Sequence, residues 1–204
     1  DLLLFPDYNA CLNLGGFANC SMSKSGDVIA YDICAVNTVM NSLAEKKGMP
    51  FDTAGKLAKN GTLIPELFSD LSSLEFYKIT SPKSLGIEWV NSIISPLLTK
   101  FNDHKVENIL HTYARHVSLE ISKNFSKNQH ILVTGGGAKN LFLMSLLKTD
   151  CLATLFLPEE KLIDFKEALI FGFLGVLRVR NEVNCLATVT GASENHSSGN
   201  IFYS

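Results

Sequence analysis

Charge is scarce in this sequence of 204 residues, and what there is nearly cancels. Charged side chains make up 19% of it and the formal net charge is −2. A chain that grips nucleic acid or an anionic membrane through its charge needs one sign to dominate. Neither is expected as a partner. Long apolar runs are also missing: the longest, Ala168 to Leu177, is about half of the ~20 residues that cross a bilayer. Cysteines are few and unpaired. Cys11, Cys20, Cys34, Cys151 and Cys185 are odd in number, scattered, and free of any C-x-x-C spacing. Disulfide frameworks and zinc sites need closer or even spacing, so these residues read as small hydrophobes in a reducing compartment. A soluble, cytoplasmic protein is expected. No secretory leader is visible, and the first residue, Asp1, suggests a start inside a longer product or after processing.

Hydrophobic residues are plentiful, at 46%. A chain of this length can bury roughly 70% of its unfolded surface, as one large domain or two small ones. Asn9 to Met22 reads as an apolar strand broken at Gly15-Gly16, Ser23 to Gly26 as a turn, and Val28 to Ile33 as a second strand. Asn37 to Lys47 reads as a helix ending at Gly48, and Pro65 to Leu74 as a short amphipathic one. Ser81 to Ser84 is a turn. Asp103 to Asn124 is the clearest helix, with Val106, Ile109, Leu110, Tyr113, Ala114, Val117 and Ile121 on one face. The last third alternates strand His130–Thr134, helix Asn140–Lys148, strand Ala153–Leu157 and helix Asp164–Arg180. That last helix is apolar on nearly every side and should be buried against a sheet. The order predicts an α/β fold, a mixed sheet flanked by helices.

Two glycine turns follow strands directly, Gly15-Gly16 and Gly135-Gly136-Gly137, each with an asparagine soon after (Asn19, Asn140). Glycine lets backbone amides approach a ligand with no Cβ in the way, so a phosphate can be held by bare amides. Neither turn is a P-loop or a G-x-G-x-x-G loop. Together they suit a nucleotide held between them.

At these residues a resemblance appears. Asn13-Leu14-Gly15-Gly16-Phe17-Ala18-Asn19 resembles the N-[IL]-G-G-[IF]-A-N segment of the anhydro-N-acetylmuramic acid kinases, of the sugar kinase, Hsp70 and actin superfamily. Further matches follow in the family's order: Ala30-Tyr31-Asp32 leading to Asn37; Phe51-Asp52 with Gly55, Ala58 and Gly61; Pro82 to Gly86; Thr134 to Asn140; Glu167-Ala168; Thr190-Gly191-Ala192. They run from about residue 11 to 203. The resemblance implies two lobes of RNase-H-like topology closing on ATP and Mg²⁺. It implies a reaction in which water opens the 1,6-anhydro ring of anhydro-N-acetylmuramic acid and the freed 6-hydroxyl is phosphorylated, in cell-wall recycling. The G-T-S-x-D-G and G-G-Q-G-A-P-L strings of the family's first lobe do not occur here. Residues 1–204 are therefore expected to be the C-terminal lobe, nearly inactive alone, with the general base in the first lobe. That lobe, ATP, the anhydro sugar and a second copy of the chain are the expected partners.

The resemblance also implies roles. Gly15, Gly16 and Asn19 would form a phosphate turn, and Gly135, Gly136, Gly137 and Asn140 would seat the adenosine. Asp32 and Asn37 would flank the cleft, Asp32 orienting water on Mg²⁺, with no direct metal ligand in this chain. Glu167 would contact the sugar. The family's D-T-G-P-G-N is here Asp32-Ile33-Cys34-Ala35-Val36-Asn37, with bulkier residues between its ends. This departure keeps a second reading open, a non-catalytic nucleotide-binding or regulatory relative; a kinase of another substrate is a third.

Simpler roles compete. Asp164 and Glu167 have capping-box spacing, Asp52 suits an N-cap before Gly55 to Lys59, and Lys139 is either a phosphate contact or a surface lysine. Lys83 reads as solvated and Cys34 as no nucleophile. His104, His111 and His116 lack metal spacing and read as surface or edge residues.

Overall fold

The computed structural model describes residues 1–80 and 82–202; Ser81, at the head of the expected Ser81–Ser84 turn, lies outside the described residues, as do Tyr203 and Ser204. The chain opens with a meander, β1 (Ala10–Leu14), β2 (Phe17–Lys24) and β3 (Asp27–Ala35). Gly15-Gly16 joins the first pair. Ser25 and Gly26, both at positive φ, join the second, the backbone a tight hairpin requires. Both strands of that second hairpin run further than predicted. β4 (His130–Thr134) and β5 (Thr154–Phe156) complete one mixed sheet, ordered β3-β2-β1-β4-β5, with β4 parallel to β1 and β5 parallel to β4. This is the α/β, RNase-H-like arrangement expected.

The helices are α1 (Asn37–Glu45), α2 (Lys56–Lys59), α3 (Pro65–Ser72), α4 (Ile87–Trp89), α5 (Ser95–Thr99), α6 (Val106–Ser122), α7 (Leu141–Asp150), α8 (Glu160–Val179) and α9 (Ala187–Thr190). A π-turn at Val90–Ile94 joins α4 to α5. Side-chain alternation divides the sheet into two faces. Ala10, Leu12, Leu14, Ile131 and Val133 point one way and join α1, α3, α6 and α7 in a single core. At its centre α6 buries the predicted Ile109, Leu110, Tyr113, Ala114, Val117 and Ile121. Tyr113 donates its hydroxyl to the Ala35 carbonyl at 2.9 Å, so a large ring is buried with its polar end satisfied.

The other face carries Cys11, Asn13, Asn19, Ser21, Asp32 and Thr134 on matched strand positions. Its cover is thin. α9 is tied there by Thr188, whose hydroxyl donates to the Val28 carbonyl at 2.6 Å. α8 reaches the sheet through its inner side, and an apolar cavity of about 310 Å³ remains beside Ala30, Phe173, Leu174 and Leu177.

Four expectations are corrected here. α8 is not buried all round: only Lys166 and Leu177 are, while Phe165 and Phe171 are 62% and 71% exposed. Its apolar surface has no cover within the described residues. The helix also starts at Glu160, so Asp164 and Glu167 lie inside it and form no capping box. His116 is fully buried. It lies seven residues beyond Ile109, in step with the apolar face of α6. Lys83 is half-buried: its ammonium sits 4.5 Å above the Phe76 ring and donates to the Phe76 carbonyl at 3.3 Å. Burial lowers its pKa.

Candidate functional site

β1 and β4 are parallel neighbours, with Asn13 opposite Thr134, so the two glycine turns leave the same edge of the sheet side by side. The sequence places them 120 residues apart; the pairing makes them touch.

The three glycines of the second turn do different work. Gly135 has φ +84° and ψ 164°, a conformation essentially reserved for glycine. A Cβ there would stand 2.8 Å from the Leu14 carbonyl carbon, and one on Gly137 would stand 2.8 Å from the Leu14 Cβ. Both glycines let the turn lie against β1. A Cβ on Gly136 would meet only the Asn37 Nδ2, at 3.9 Å. Gly136 faces open space.

That space is a groove of about 280 Å³ lined by Gly136, Lys139 and Asn140, by Asn37, Met40 and Asn41 of α1, and by Phe51, Asp52 and Ala54. Three segments distant in sequence build it. α1 is held against the first turn: the Val36 and Thr38 amides donate to the Gly16 carbonyl at 2.8 and 3.2 Å, and the Asn37 amide to the Gly15 carbonyl at 3.3 Å. Asn37 Nδ2 donates to the Leu14 carbonyl at 3.1 Å. The starting amides of α1 are therefore spent on the turn rather than offered to an anion.

Asn140 caps α7, its Oδ1 accepting from the Leu143 amide at 3.0 Å, which leaves its Nδ2 as a donor. Asp52 accepts from the Leu57 amide at 2.8 Å and the Ala58 amide at 2.9 Å, so it satisfies first-turn amides of α2 as expected, although Gly55 holds that helix's N-cap position. Gly55 packs against the Asn140 cap, where a Cβ would collide with Asn140 Oδ1. Lys139 lines the groove but is engaged: Asp164 and Glu160 of α8 hold it at 2.6 and 3.2 Å and raise its pKa.

Asn19 and Asp32 lie elsewhere. They share a second groove of about 300 Å³ with Tyr31, Lys83 and Ser84, on the α8 side of the sheet. There Asp32 Oδ2 accepts from the Leu85 amide at 2.7 Å and the Ser84 hydroxyl at 3.3 Å. Asp32 thus fastens the Pro82–Gly86 segment to the sheet. Glu167 is exposed on α8 and lines neither groove. Ile33, Cys34, Ala35 and Val36 are all buried in the core. Their bulk goes inward, while Asp32 and Asn37 at the two ends stay half-exposed. Burial pushes the Cys34 thiol well above its usual range, so it is no nucleophile.

Sequence reasoning missed Asn41 and Phe51. Asn41 had a signal: it stands one helical turn after Asn37, on the same face. Phe51 is 52% exposed at the groove rim; the Phe51-Asp52 match marked the position, without assigning it a place in the groove.

A sequence model described as anhydro-N-acetylmuramic acid kinase matches residues 5–204. The chain belongs to this kinase family. The family's member from Actinobacillus pleuropneumoniae serotype 5b is 36% identical, over 94% of this chain and 55% of the relative. The Vibrio cholerae member is 30% identical over the same shares, and one from Bacillus cereus is 27% identical over 97% and 57%. The chain spans about half the length of the curated relatives it matches. Two solved structures are similar at 14% identity. The activator of 2-hydroxyisocaproyl-CoA dehydratase from Clostridium difficile, with bound ADPNP, has a TM-score of 0.46 over 76% of this chain and 55% of that one. The (R)-2-hydroxyglutaryl-CoA dehydratase component A of Acidaminococcus fermentans has 0.49 over 82% and 61%. Among the described residues no helix is long and apolar enough to cross a membrane.

Proposed function

We propose that this chain is the C-terminal lobe of an ATP-dependent kinase that opens 1,6-anhydro-N-acetylmuramic acid with water and phosphorylates the 6-hydroxyl. One observation carries the nucleotide part: Asn37 and Asn41, Phe51 and Asp52, and the turn from Gly136 to Asn140, three separate segments, converge on one groove. Gly136 offers backbone without a side chain. Asn140 offers an amide donor and Asn41 a further side-chain amide. Gly135 and Gly137 act through shape, by letting that turn approach β1. Gly15 and Gly16 fix α1 and so set where Asn37 and Asn41 stand. Phosphoryl transfer depends mainly on such positioning and on charge stabilisation.

The second groove belongs to the same reading. Among the described residues no three His, Cys, Asp or Glu side chains are grouped to hold a metal ion. Mg²⁺ carried on phosphates needs only one or two carboxylates and its own waters. Asp52 has both oxygens engaged; Asp32 has its Oδ2 held by Leu85 and Ser84 and would take that limited role through Oδ1. When bound, the ion would neutralise phosphate charge. Asn19 and Asp32 would stand on the phosphate side and Glu167 on the sugar side. The inward packing of Ile33 to Val36 favours the catalytic reading over a non-catalytic binder, because it leaves both ends of that segment in place.

A fluorescent ATP analogue tests the groove. The chain should bind it, and Gly136→Val should weaken binding about tenfold or more with an unchanged melting temperature, since a side chain fits sterically but fills the site. Equal affinity in the folded variant would remove Gly136 from the site. Activity needs the rest of the family's length. With that half joined, ATP, Mg²⁺ and the anhydro sugar should yield the 6-phosphate, whereas this chain by itself should not.

A further inference from the structure

α8 presents a regular apolar stripe that nothing among the described residues covers. Phe165, Leu169, Gly172, Val176 and Val179 recur at steps of four and three, the spacing that keeps one seam facing a partner helix. The four large members are between 46% and 73% exposed. Gly172 sits mid-stripe with open space around it, which allows another backbone to come close. Exposed apolar surface of this size and regularity marks an interface.

Two observations point to the occupant. A little under half of each relative's length lies outside the match. The stripe also begins beside the groove: Asp164, next to Phe165, holds Lys139, and Lys139 lines the groove. Whatever seats on α8 therefore stands next to the Lys139 side of the groove. We propose that this stripe seats a helix from the half of the family's polypeptide that this chain does not contain, and that the same seating supplies the groove's missing wall. The second clause rests on the nucleotide reading above; the first does not. A second copy of this chain would cover the stripe and leave the groove open.

The test joins this chain to the unmatched part of the Actinobacillus pleuropneumoniae relative, in that relative's own order. Amide exchange across Phe165–Val179 should slow about tenfold or more against the chain by itself, before any nucleotide is added. Leu169→Asp with Val176→Asp should restore fast exchange there while α6 stays protected. Unchanged exchange across α8, with α6 protected in the joined molecule, would overturn the proposal. The chain by itself gives a second reading. As a monomer it should bind a hydrophobic dye and lose that binding in the double variant. A dimer in sedimentation that the double variant splits, or a stripe already protected in the monomer, would overturn the proposal as well. Nucleotide-dependent protection at Gly136–Asn140 is scored separately. Its absence beside a protected stripe would count against the kinase reading and leave the seating intact.

Discussion

The two faces of the sheet are built on opposite principles. One is sealed: Leu12, Leu14, Ile131 and Val133 meet α1, α6 and α7 with no more than 1% exposure on any of the four. The other mixes buried Cys11, Leu132 and Thr134 with half-exposed Asn13, Asn19, Ser21 and Asp32, carries a 310 Å³ apolar cavity, and lies under a helix with an exposed apolar back. The sealed face makes the fold. The open face and the glycine edge between the two are where function has room. Stability and site are thus separable, and substitutions should sort accordingly.

The largest contrast lies between the faces. Ile131→Ala should cost about 2–5 kcal/mol in denaturant unfolding, because it empties a fully packed position. Phe165→Ala should cost within about 0.5 kcal/mol, since the residue is 62% exposed. Similar losses at both would erase the distinction. The glycine turn gives the next contrast. Gly135→Ala should destabilise by about 1–3 kcal/mol from its backbone alone, with contact against Leu14 added. Gly136→Ala should leave the melting temperature unchanged. A costly Gly136→Ala would make that residue structural and weaken its place in the groove.

His116 sharpens the sealed face through pH. Burial holds its pKa down at about 3, with Lys123 adding to the effect. Glu120 lies 3.9 Å away but is paired with Lys123 at 2.6 Å, so it offers the imidazolium little. The unfolded chain takes up a proton near the ordinary value of about 6.5 and the folded one does not. The contribution to stability is therefore complete above that pH and is lost as pH falls toward 3. From pH 7 to pH 5 the loss should be about 2 kcal/mol. Urea midpoints at both pH values should converge in His116→Leu relative to wild type. An equal drop in the variant would assign the loss to other groups. Asp52→Ala should cost about 1–2 kcal/mol from its two lost amide bonds, read by thermal melting.

The sealed face was legible in the sequence because periodicity reports burial. The α6 stripe and the strand before Gly135 sit where spacing puts them. His116 and Glu120 were legible by the same rule, in step with Ile109, and residue type obscured them. α8 was legible only in part. An all-round apolar pattern says that a helix has neighbours, and it does not say that they belong to the same chain. At the site, the glycine turns and Asn140 announced themselves by residue type. The split between the Asn37 groove and the Asn19–Asp32 groove did not, because it follows from which side of the sheet each residue faces. Asn41 follows Asn37 by one helical turn, whereas Phe51 enters the groove through tertiary packing.

The most direct test follows backbone amide resonances of the chain while ATP and Mg²⁺ are added. The account predicts saturable shifts centred on Gly136, Asn140 and the first turn of α1, needing about tenfold or more nucleotide in Gly136→Val. Shifts absent at saturating nucleotide, or confined to the strands around Ser21 and Ala30, would contradict it.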